Sequence, residues 1–421
     1  MKRYLLFFFF IIATMVAFSQ DITGEWNGTL NIQNTALRLV FHINKTDAGY
    51  SATMDSPDQG AKGINMSHVT FENPKLILEL RIAQINYTGT LDKNTLTGTF
   101  TQAGQTLPMN LTKSDTKTVK TEEPTIDKNA CYIETPITLQ TTTGKIFGTL
   151  TTPKTLKKGP LALIIAGSGP TDRNCNNPTM TCDAYKKLAH ELAENNIASL
   201  RYDKRGIAES AAAVENESDL LFEDYVTDAK DWIQLAKQDK CFTQIVVIGH
   251  SEGSLIGMLA AAKADKFISV AGPGQSAAIL LKEQLKSQPQ EVQDLSFPII
   301  DSLVLGKKVE NINPMLASVF RSSVQPYLIS WFKYDPQTEL KKLTIPILII
   351  QGTNDVQVSV DDAKRLSAAQ PESQLLLIDG MNHILRKVEG DRAANLATYN
   401  KAELPLAEGF VKGISDFILK K

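Results

Sequence analysis

The sequence predicts two domains of different class, a small all-β domain followed by a doubly wound α/β domain with a mostly parallel central sheet. Its 421 residues, 43% of them hydrophobic and 21% charged, are enough for more than one buried core. Turn residues punctuate residues 21–113 at short intervals, whereas short apolar runs alternate with helical patterns after Cys131. This change of sequence pattern predicts that the all-β domain precedes the α/β domain.

The first domain, residues 21–113, is predicted to pack short antiparallel strands as a small sandwich or barrel. Apolar and polar residues alternate between the turns, as in residues 76–80, and this period of two is typical of strands with one buried face. Trp26 is either a core side chain or part of a ligand surface, and the core role is the commoner one. Residues 114–130 mix charges with few large apolar residues, which indicates an exposed linker.

The second domain is predicted to occupy residues 131–421. Nearly continuous apolar runs are typical of strands that are buried on both faces of a parallel sheet. Six such runs occur, at residues 161–166, 197–202, 245–248, 267–271, 347–351 and 375–378. Helical patterns separate several of them, but this rhythm stops between about residues 274 and 340, a stretch rich in aromatic residues. That interruption predicts a helical cap inserted over the C-terminal edge of the sheet.

The N-terminal residues predict export. Lys2 and Arg3 precede an apolar run of about 14 residues, shorter than the roughly 20 that a spanning helix needs. Small residues follow near Ser19, so residues 1–20 are predicted to be a signal peptide, the mature protein to be periplasmic or secreted, and no stable membrane span to remain. The net charge of -2 provides no positive field for nucleic acid, which excludes it as a partner.

The chain has four cysteines, and an even number in an oxidising compartment suggests pairing. Cys175 and Cys182 enclose a short loop, so we predict a disulfide between them and leave the pairing of Cys131 and Cys241 open. Since the cysteines and histidines show no metal-ligand spacing, no metal site is predicted.

Residues 249–253, Gly-His-Ser-Glu-Gly, predict a catalytic nucleophile. They follow the apolar run 245–248 and precede a helical pattern. Glycines at both ends permit a sharp strand-to-helix turn, which exposes the serine hydroxyl near a helix N-terminus at the top of the sheet. Ser251 is therefore the predicted nucleophile.

A serine hydroxyl needs a neighbouring base, usually histidine, which a carboxylate orients. Of the five histidines, His383 alone follows the last predicted strand; two lie in the β-rich region, one in a predicted helix and one beside the nucleophile. Asp355 follows the preceding strand and is the predicted orienting acid. Asp361 and Asp362 compete for this role from the next predicted helix.

Two backbone N–H groups are needed to stabilise the oxyanion that forms during acyl transfer. One should belong to Glu252, which follows the nucleophile, and the other to Ser168 in the Ala-Gly-Ser-Gly segment after an early strand, with Gly169 as its competitor. The Glu252 side chain either selects a cationic substrate or points into solvent.

Three strings resemble the α/β-hydrolase superfamily, in particular bacterial exported esterases and the serine aminopeptidase-like branch. They are Ala-Gly-Ser-Gly-Pro-Thr-Asp-Arg-Asn at 166–174, Arg-Tyr-Asp-Lys-Arg-Gly-Ile-Ala-Glu-Ser at 201–210, and Gly-His-Ser-Glu-Gly. The resemblance covers about residues 133–419 and implies the α/β-hydrolase fold. It also implies a structural role for Asp203 and Arg205, as an ion pair. The His-Gly-Gly-Gly string of many lipases is absent.

The expected function is hydrolysis of a small or medium carboxylic ester through an acyl-enzyme, without a cofactor. A serine aminopeptidase-like peptidase and a thioesterase are the alternatives, because the same fold and triad serve several reactions. A surface binding module with an inactive hydrolase-like domain is the rival from another class, but the intact Ser251, Asp355 and His383 argue against it.

Overall fold

The computed structural model describes residues 21–32, 35–46, 49–56, 61–102, 104–114, 130–177 and 180–420. The predicted signal peptide, residues 1–20, and residues 115–129 of the predicted linker lie outside these described residues. Export and the linker therefore stay predictions.

The N-terminal residues form one antiparallel sheet of nine strands. These are β1 (Gly24–Ile32), β2 (Thr35–Thr46), β3 (Gly49–Ser56), β4 (Ala61–Asn65), β5 (His68–Glu72), β6 (Lys75–Leu80), β7 (Ile85–Asp92), β8 (Thr95–Gln102) and β9 (Gln105–Lys113). Their order in the sheet is β4-β3-β2-β1-β9-β8-β7-β6-β5. The Met66 N–H donates to the Ala52 carbonyl oxygen of β3 at 2.9 Å, and the N–H of the next residue, Ser67, donates to the Glu79 carbonyl oxygen of β6 at 2.6 Å. Adjacent residues thus bond to strands near opposite edges, so the sheet curls toward closure as a barrel does.

This curled sheet encloses its own apolar core. Leu76, Leu78 and Leu80 alternate with less buried residues along β6, as the sequence predicts. Trp26 is fully buried and its Nε1–H donates to the Ile22 carbonyl oxygen at 2.8 Å. Of its two predicted roles, Trp26 therefore has the core one.

The C-terminal residues form a mixed sheet of eight strands. These are β10 (Tyr132–Gln140), β11 (Lys145–Pro153), β12 (Gly159–Ile165), β13 (Ala198–Tyr202), β14 (Phe242–His250), β15 (Lys266–Val270), β16 (Ile347–Gly352) and β17 (Gln374–Ile378). The order is β10-β11-β13-β12-β14-β15-β16-β17. Strands β10 and β11 pair in antiparallel fashion and the other six run parallel to one another, so the sheet is mostly parallel, and each predicted apolar run forms a strand.

Helices cover both faces of this sheet. They are α1 (Ala184–Glu194), α2 (Phe222–Gln238), α3 (Glu252–Ala260), α4 (Ala277–Leu285), α5 (Gln290–Val304), α6 (Ala317–Phe320), α7 (Gln325–Trp331), α8 (Pro336–Leu340), α9 (Val360–Ala369), α10 (Arg392–Leu396) and α11 (Phe410–Leu419). Helices α1 and α11 pack on one face, and α2, α3 and α9 pack on the other. Helices α4 to α8 separate β15 from β16, where the sequence predicts the cap.

The predicted ion pair between Asp203 and Arg205 is wrong. Arg173 Nη2 instead donates to Asp203 Oδ2 at 2.6 Å, and Arg205 Nε donates to Asp228 Oδ2 of α2 at 2.7 Å. The two residues have different neighbours because Arg173 lies in the loop after β12, whereas Asp228 lies on α2. Asp203 and Arg205 are both buried and each has its own charged partner, so both keep a structural role.

The predicted disulfide is also absent from the structure, because Cys175 and Cys182 are free buried thiols. The Cys182 thiol donates to the Cys175 carbonyl oxygen at 2.9 Å. Asn176 closes the loop instead, since its Oδ1 accepts from the N–H groups of Cys182 and Asp183, both at 2.9 Å. Cys131 and Cys241 are exposed free thiols.

Asp228→Asn is expected to lower the free energy of unfolding by about 3 kcal/mol, because it leaves the buried Arg205 charge with only the more distant carboxylate of Asp224, at 3.9 Å. Asp416→Asn is the matched control: its partner Lys412 is 77% exposed and Asp416 itself 65%, so its loss should be below about 1 kcal/mol. Urea denaturation measures both. Equal losses in the two variants would contradict the assignment of a buried, stabilising role to Asp228.

Candidate active site

Ser251 occupies the turn between β14 and α3 in a strained backbone conformation. Its φ is 56° and its ψ is -122°, which a residue with a Cβ adopts only when the surrounding structure enforces it. A Cβ at Gly249 would lie 2.2 Å from the Gly253 carbonyl oxygen, and a Cβ at Gly253 would lie 2.4 Å from the Ile165 carbonyl oxygen. Both glycines are therefore required, because the turn packs too tightly for a larger residue at either position.

Asp355 and His383 form a hydrogen-bonded pair in the turns that follow β16 and β17. His383 Nδ1 lies 2.8 Å from Asp355 Oδ2, and the two side chains are 7% and 1% exposed. The other carboxylate oxygen of Asp355 accepts from the Gln357 N–H at 2.8 Å and the Val358 N–H at 3.0 Å. The carboxylate is thus fixed from both sides and orients the imidazole.

The environment keeps Asp355 ionised. Burial by itself raises the pKa of this carboxyl, but the charge and hydrogen bond of His383 and the two backbone donors outweigh burial and hold the pKa below its ordinary value. The competing carboxylates have other partners: Asp362 caps α9 through Ser359, and Asp361 binds Lys364. Of the three predicted candidates, Asp355 is therefore the carboxylate that orients His383.

His250 connects the nucleophile turn to the His383 loop. Its Nε2 lies 2.8 Å from the His383 carbonyl oxygen and its Nδ1 lies 2.7 Å from the Tyr185 hydroxyl. Since the carbonyl can only accept, Nε2 carries the proton and Nδ1 accepts from Tyr185. Burial and the neighbouring His383 lower the pKa of His250 to about 3, which keeps it neutral.

Ser251 and His383 lie at the same edge of the sheet but are not hydrogen-bonded to each other in the described residues. Within the described residues the structure has no hydrogen bond between Ser251 Oγ and His383, although the rings of His250 and His383 are only 4.8 Å apart. Such bonds are commonly long before substrate binds. The proton transfer between Ser251 and His383 therefore belongs to the proposed mechanism.

The predicted oxyanion donors border one cleft beside Ser251. Ser168 and Glu252 both line it, and in the described part of the chain neither backbone N–H donates to another protein group. Glu252 begins α3, whose first N–H groups have no partner within the helix and favour negative charge. Gly169, the competing donor, borders the same cleft.

The side chain of Glu252 follows neither predicted alternative. It is 2% exposed, and its Oε2 binds Lys204 Nζ at 2.7 Å. Its Oε1 accepts from the hydroxyl of Tyr327, on α7 of the cap. Both oxygens of the carboxylate are consequently paired inside the protein, and the side chain does not face solvent.

The cleft has a volume of about 1010 Å³ and three walls. The α/β core contributes Ser168 and Ser251, the cap contributes Leu281 and Trp331, and the N-terminal sheet contributes Ile64 and Ala83. The N-terminal wall is mixed, since Asn65, Gln84 and Gln102 also line the cleft.

Sequence reasoning missed Lys204, Tyr327 and Tyr185 as parts of the site. Lys204 follows β13, and the C-terminal ends of adjacent parallel strands meet at one edge of the sheet, so its position after β13 was a usable signal. Tyr327 and Tyr185 had no comparable signal, because their helices lie far from Ser251 in sequence.

The described residues show no group of three or more histidine, cysteine or acidic side chains placed to hold a metal ion. Among the described helices, none combines the length and apolar character that a membrane crossing requires.

Comparison with known proteins shows what the C-terminal region is similar to. Residues 179–328 match the model of the serine aminopeptidase, S33, family, a stretch that includes Ser251. Esterase EstD of Thermotoga maritima is 27% identical over 259 residues, 58% of this chain and 58% of that protein. The chain thus spans little more than half the length of EstD. Monoglyceride lipase of Rattus norvegicus is 24% identical over 244 residues, 54% of this chain and 77% of that protein.

Among solved structures, Est1E from Butyrivibrio proteoclasticus aligns with a TM-score of 0.44 and 20% identity, covering 68% of this chain and 97% of its own. The family match and the relatives make the C-terminal region similar to serine hydrolases of the α/β-hydrolase type, and the mostly parallel sheet with the turn at Ser251 agrees with that similarity.

Proposed function

We propose that this protein is an exported serine hydrolase that cleaves carboxylic esters through an acyl-enzyme. Residues 131–421 are its catalytic domain, and residues 21–113 form a separate β-domain. The observation that carries the proposal is the strained Ser251 at a strand-to-helix turn, on the same sheet edge as the buried Asp355–His383 pair. Export is supported by the pattern of residues 1–20.

In the proposed reaction Ser251 Oγ attacks the ester carbonyl carbon while His383 takes the hydroxyl proton. The negative oxygen of the tetrahedral intermediate accepts from the N–H groups of Ser168 and Glu252. His383 then protonates the departing alcohol, and water repeats the sequence on the acyl-enzyme to release the acid. Asp355 keeps His383 in the tautomer that presents Nε2 to the serine, and no cofactor takes part.

The cleft favours an ester with a medium-sized apolar acyl group. The cap lines it with apolar side chains such as Leu280, Leu281 and Trp331, and burial of apolar surface stabilises binding by about 25 cal/mol per Å². The names of the relatives, an esterase and a monoglyceride lipase, support ester substrates.

A peptidase that recognises a free amine is the second candidate, because the matched family is described as a serine aminopeptidase. Recognition of an amine needs an available carboxylate near the nucleophile. Glu252, the predicted candidate, is already paired with Lys204 and Tyr327. The ester reaction is therefore the better supported of the two.

A panel of p-nitrophenyl esters of rising acyl length, two aminoacyl p-nitroanilides and an acyl thioester tests the proposal. We expect kcat/KM for the best ester to reach at least about 10⁴ M⁻¹s⁻¹ and to rise with acyl length until the cleft is filled. Anilide turnover above ester turnover would make the protein a peptidase, and thioester turnover above both would make it a thioesterase. If the protein turned over none of the three substrate classes and a fluorophosphonate did not label Ser251, the result would favour the binding-module alternative.

A further inference from the structure

A buried lysine lies beside the segment that supplies the second predicted oxyanion donor. Lys204 Nζ donates to the Gly167 carbonyl oxygen at 2.7 Å and to Glu252 Oε2 at 2.7 Å, and its side chain is 1% exposed. The ammonium also lies 4.6 Å from the centre of the Tyr225 ring. A charge buried this deeply is stable only with such partners, so its position is closely defined.

The Gly167 carbonyl and the Ser168 N–H belong to the same peptide unit. A trans peptide is planar, and its C=O and N–H bonds point in opposite directions. Because Lys204 holds the Gly167 oxygen, the Ser168 N–H points away from Lys204. In the described part of the chain this N–H has no protein acceptor, and Ser168 lines the cleft that Ser251 borders. The orientation of this N–H thus depends on Lys204.

The other side of the same glycine is held as well. The Gly167 N–H donates to the Tyr185 hydroxyl at 3.1 Å. With no Cβ, Gly167 packs against the nucleophile, since a Cβ there would lie 3.2 Å from that of Ser251. A glycine backbone is otherwise free to rotate, so these two side-chain contacts fix a segment that the sequence alone leaves flexible.

Glu252 completes the arrangement. Its backbone N–H is the first predicted oxyanion donor, and its carboxylate holds the lysine that orients the second. The Tyr327 hydroxyl donates to the same carboxylate from the cap, and burial and the Glu252 charge raise the pKa of Tyr327 well above its usual value. Tyr327 therefore remains a donor and links the cap to the lysine.

We propose that Lys204 is a positioning residue that, anchored by Glu252 and Tyr327, directs the Ser168 N–H into the oxyanion hole. The inference rests on the proposed acyl transfer at Ser251. It predicts that the loss of Lys204 weakens stabilisation of the transition state and leaves binding of the ground-state substrate almost unchanged.

Lys204→Met replaces the aliphatic part of the side chain with one of similar length and removes the donor. We expect kcat for the best p-nitrophenyl ester to fall on the order of 100-fold, approaching the loss of one oxyanion donor, with KM within about threefold of native. The affinity for an alkyl trifluoromethyl ketone, which forms a tetrahedral adduct with the serine, should fall by about the same factor as kcat/KM.

Lys266→Met is the matched control. Lys266 is also buried, and its Nζ donates to the carbonyl oxygens of Phe417, Ile418 and Lys420, far from the cleft in the fold. This variant should lose stability through its unpaired carbonyls and retain native kcat.

The double variant Lys204→Met/Glu252→Gln separates positioning from charge balance. It leaves no unpaired charge buried, so its melting temperature should exceed that of Lys204→Met, while kcat should stay about 100-fold low. Native kcat in the double variant would overturn the inference, because Lys204 would then be only a counter-ion. A raised KM with unchanged kcat would overturn it too.

The rate of Ser251 labelling by a fluorophosphonate provides a readout that needs no substrate, since the phosphonyl oxygen also develops charge toward the oxyanion donors. Labelling of Lys204→Met as fast as native would contradict the role of Lys204 even if the natural reaction differs. If the native protein itself neither labels nor hydrolyses esters, the proposed function fails instead.

Discussion

Ser251→Ala is expected to lower kcat for the best p-nitrophenyl ester by about 10⁴–10⁶-fold, the largest effect of any single change in this chain. Without Oγ no acyl-enzyme can form, and the oxyanion donors alone provide only residual catalysis over water. Steady-state turnover measures the loss, and mass spectrometry should show no fluorophosphonate adduct. Turnover within tenfold of native would exclude the proposed mechanism.

Ser251→Gly is the matched control for the backbone strain. It removes the same hydroxyl, so it should be equally inactive, but glycine tolerates a φ of 56° and a ψ of -122° better than a residue with a Cβ. We expect it to be about 1 kcal/mol more stable than Ser251→Ala. If the two variants unfold at the same urea concentration, the turn at Ser251 stores no strain.

The elements that the sequence predicted well are those with a local signal. The apolar runs that became β12 to β17 needed only their composition and length, because strands buried on both faces tolerate few polar residues. The glycines of the motif at residues 249–253 were enough to predict the strand-to-helix turn at Ser251. The contact between Asp355 and His383 could be predicted because both follow neighbouring parallel strands, whose ends meet at one edge.

The predictions that were wrong, and the contacts that were missed, depend on side-chain direction. Asp203 and Arg205 are close in sequence, but their side chains face different elements. Cys175 and Cys182 had suitable spacing for a disulfide, yet hydrogen bonds close their loop instead. Glu252 binds Lys204, 48 residues away, and Tyr327, 75 residues away. No periodic pattern encodes such pairings.

Asp355→Asn is expected to produce the second largest loss, about 10⁴-fold in kcat with little change in KM. An asparagine amide can donate to His383 Nδ1, which would place the proton on Nε2 and leave that nitrogen unable to accept from Ser251. The matched control is Asp362→Asn, since Asp362 competed for the role but caps α9. It should lose about 1 kcal/mol of stability and keep native kcat. The opposite result would transfer the orienting role to Asp362.

The stability of Asp355→Asn at acid pH provides an independent check on the role of Asp355. Since the folded protein holds the pKa of Asp355 below its ordinary value of 3.8, the ionised carboxylate stabilises the fold above that pH, and this contribution disappears as the pH falls through the folded pKa. The Asp355→Asn variant lacks this stabilising contribution at every pH. The difference in melting temperature between native and variant should therefore narrow as the pH drops below 3.8, and a difference that grew on acidification would mean that Asp355 is not held ionised by His383.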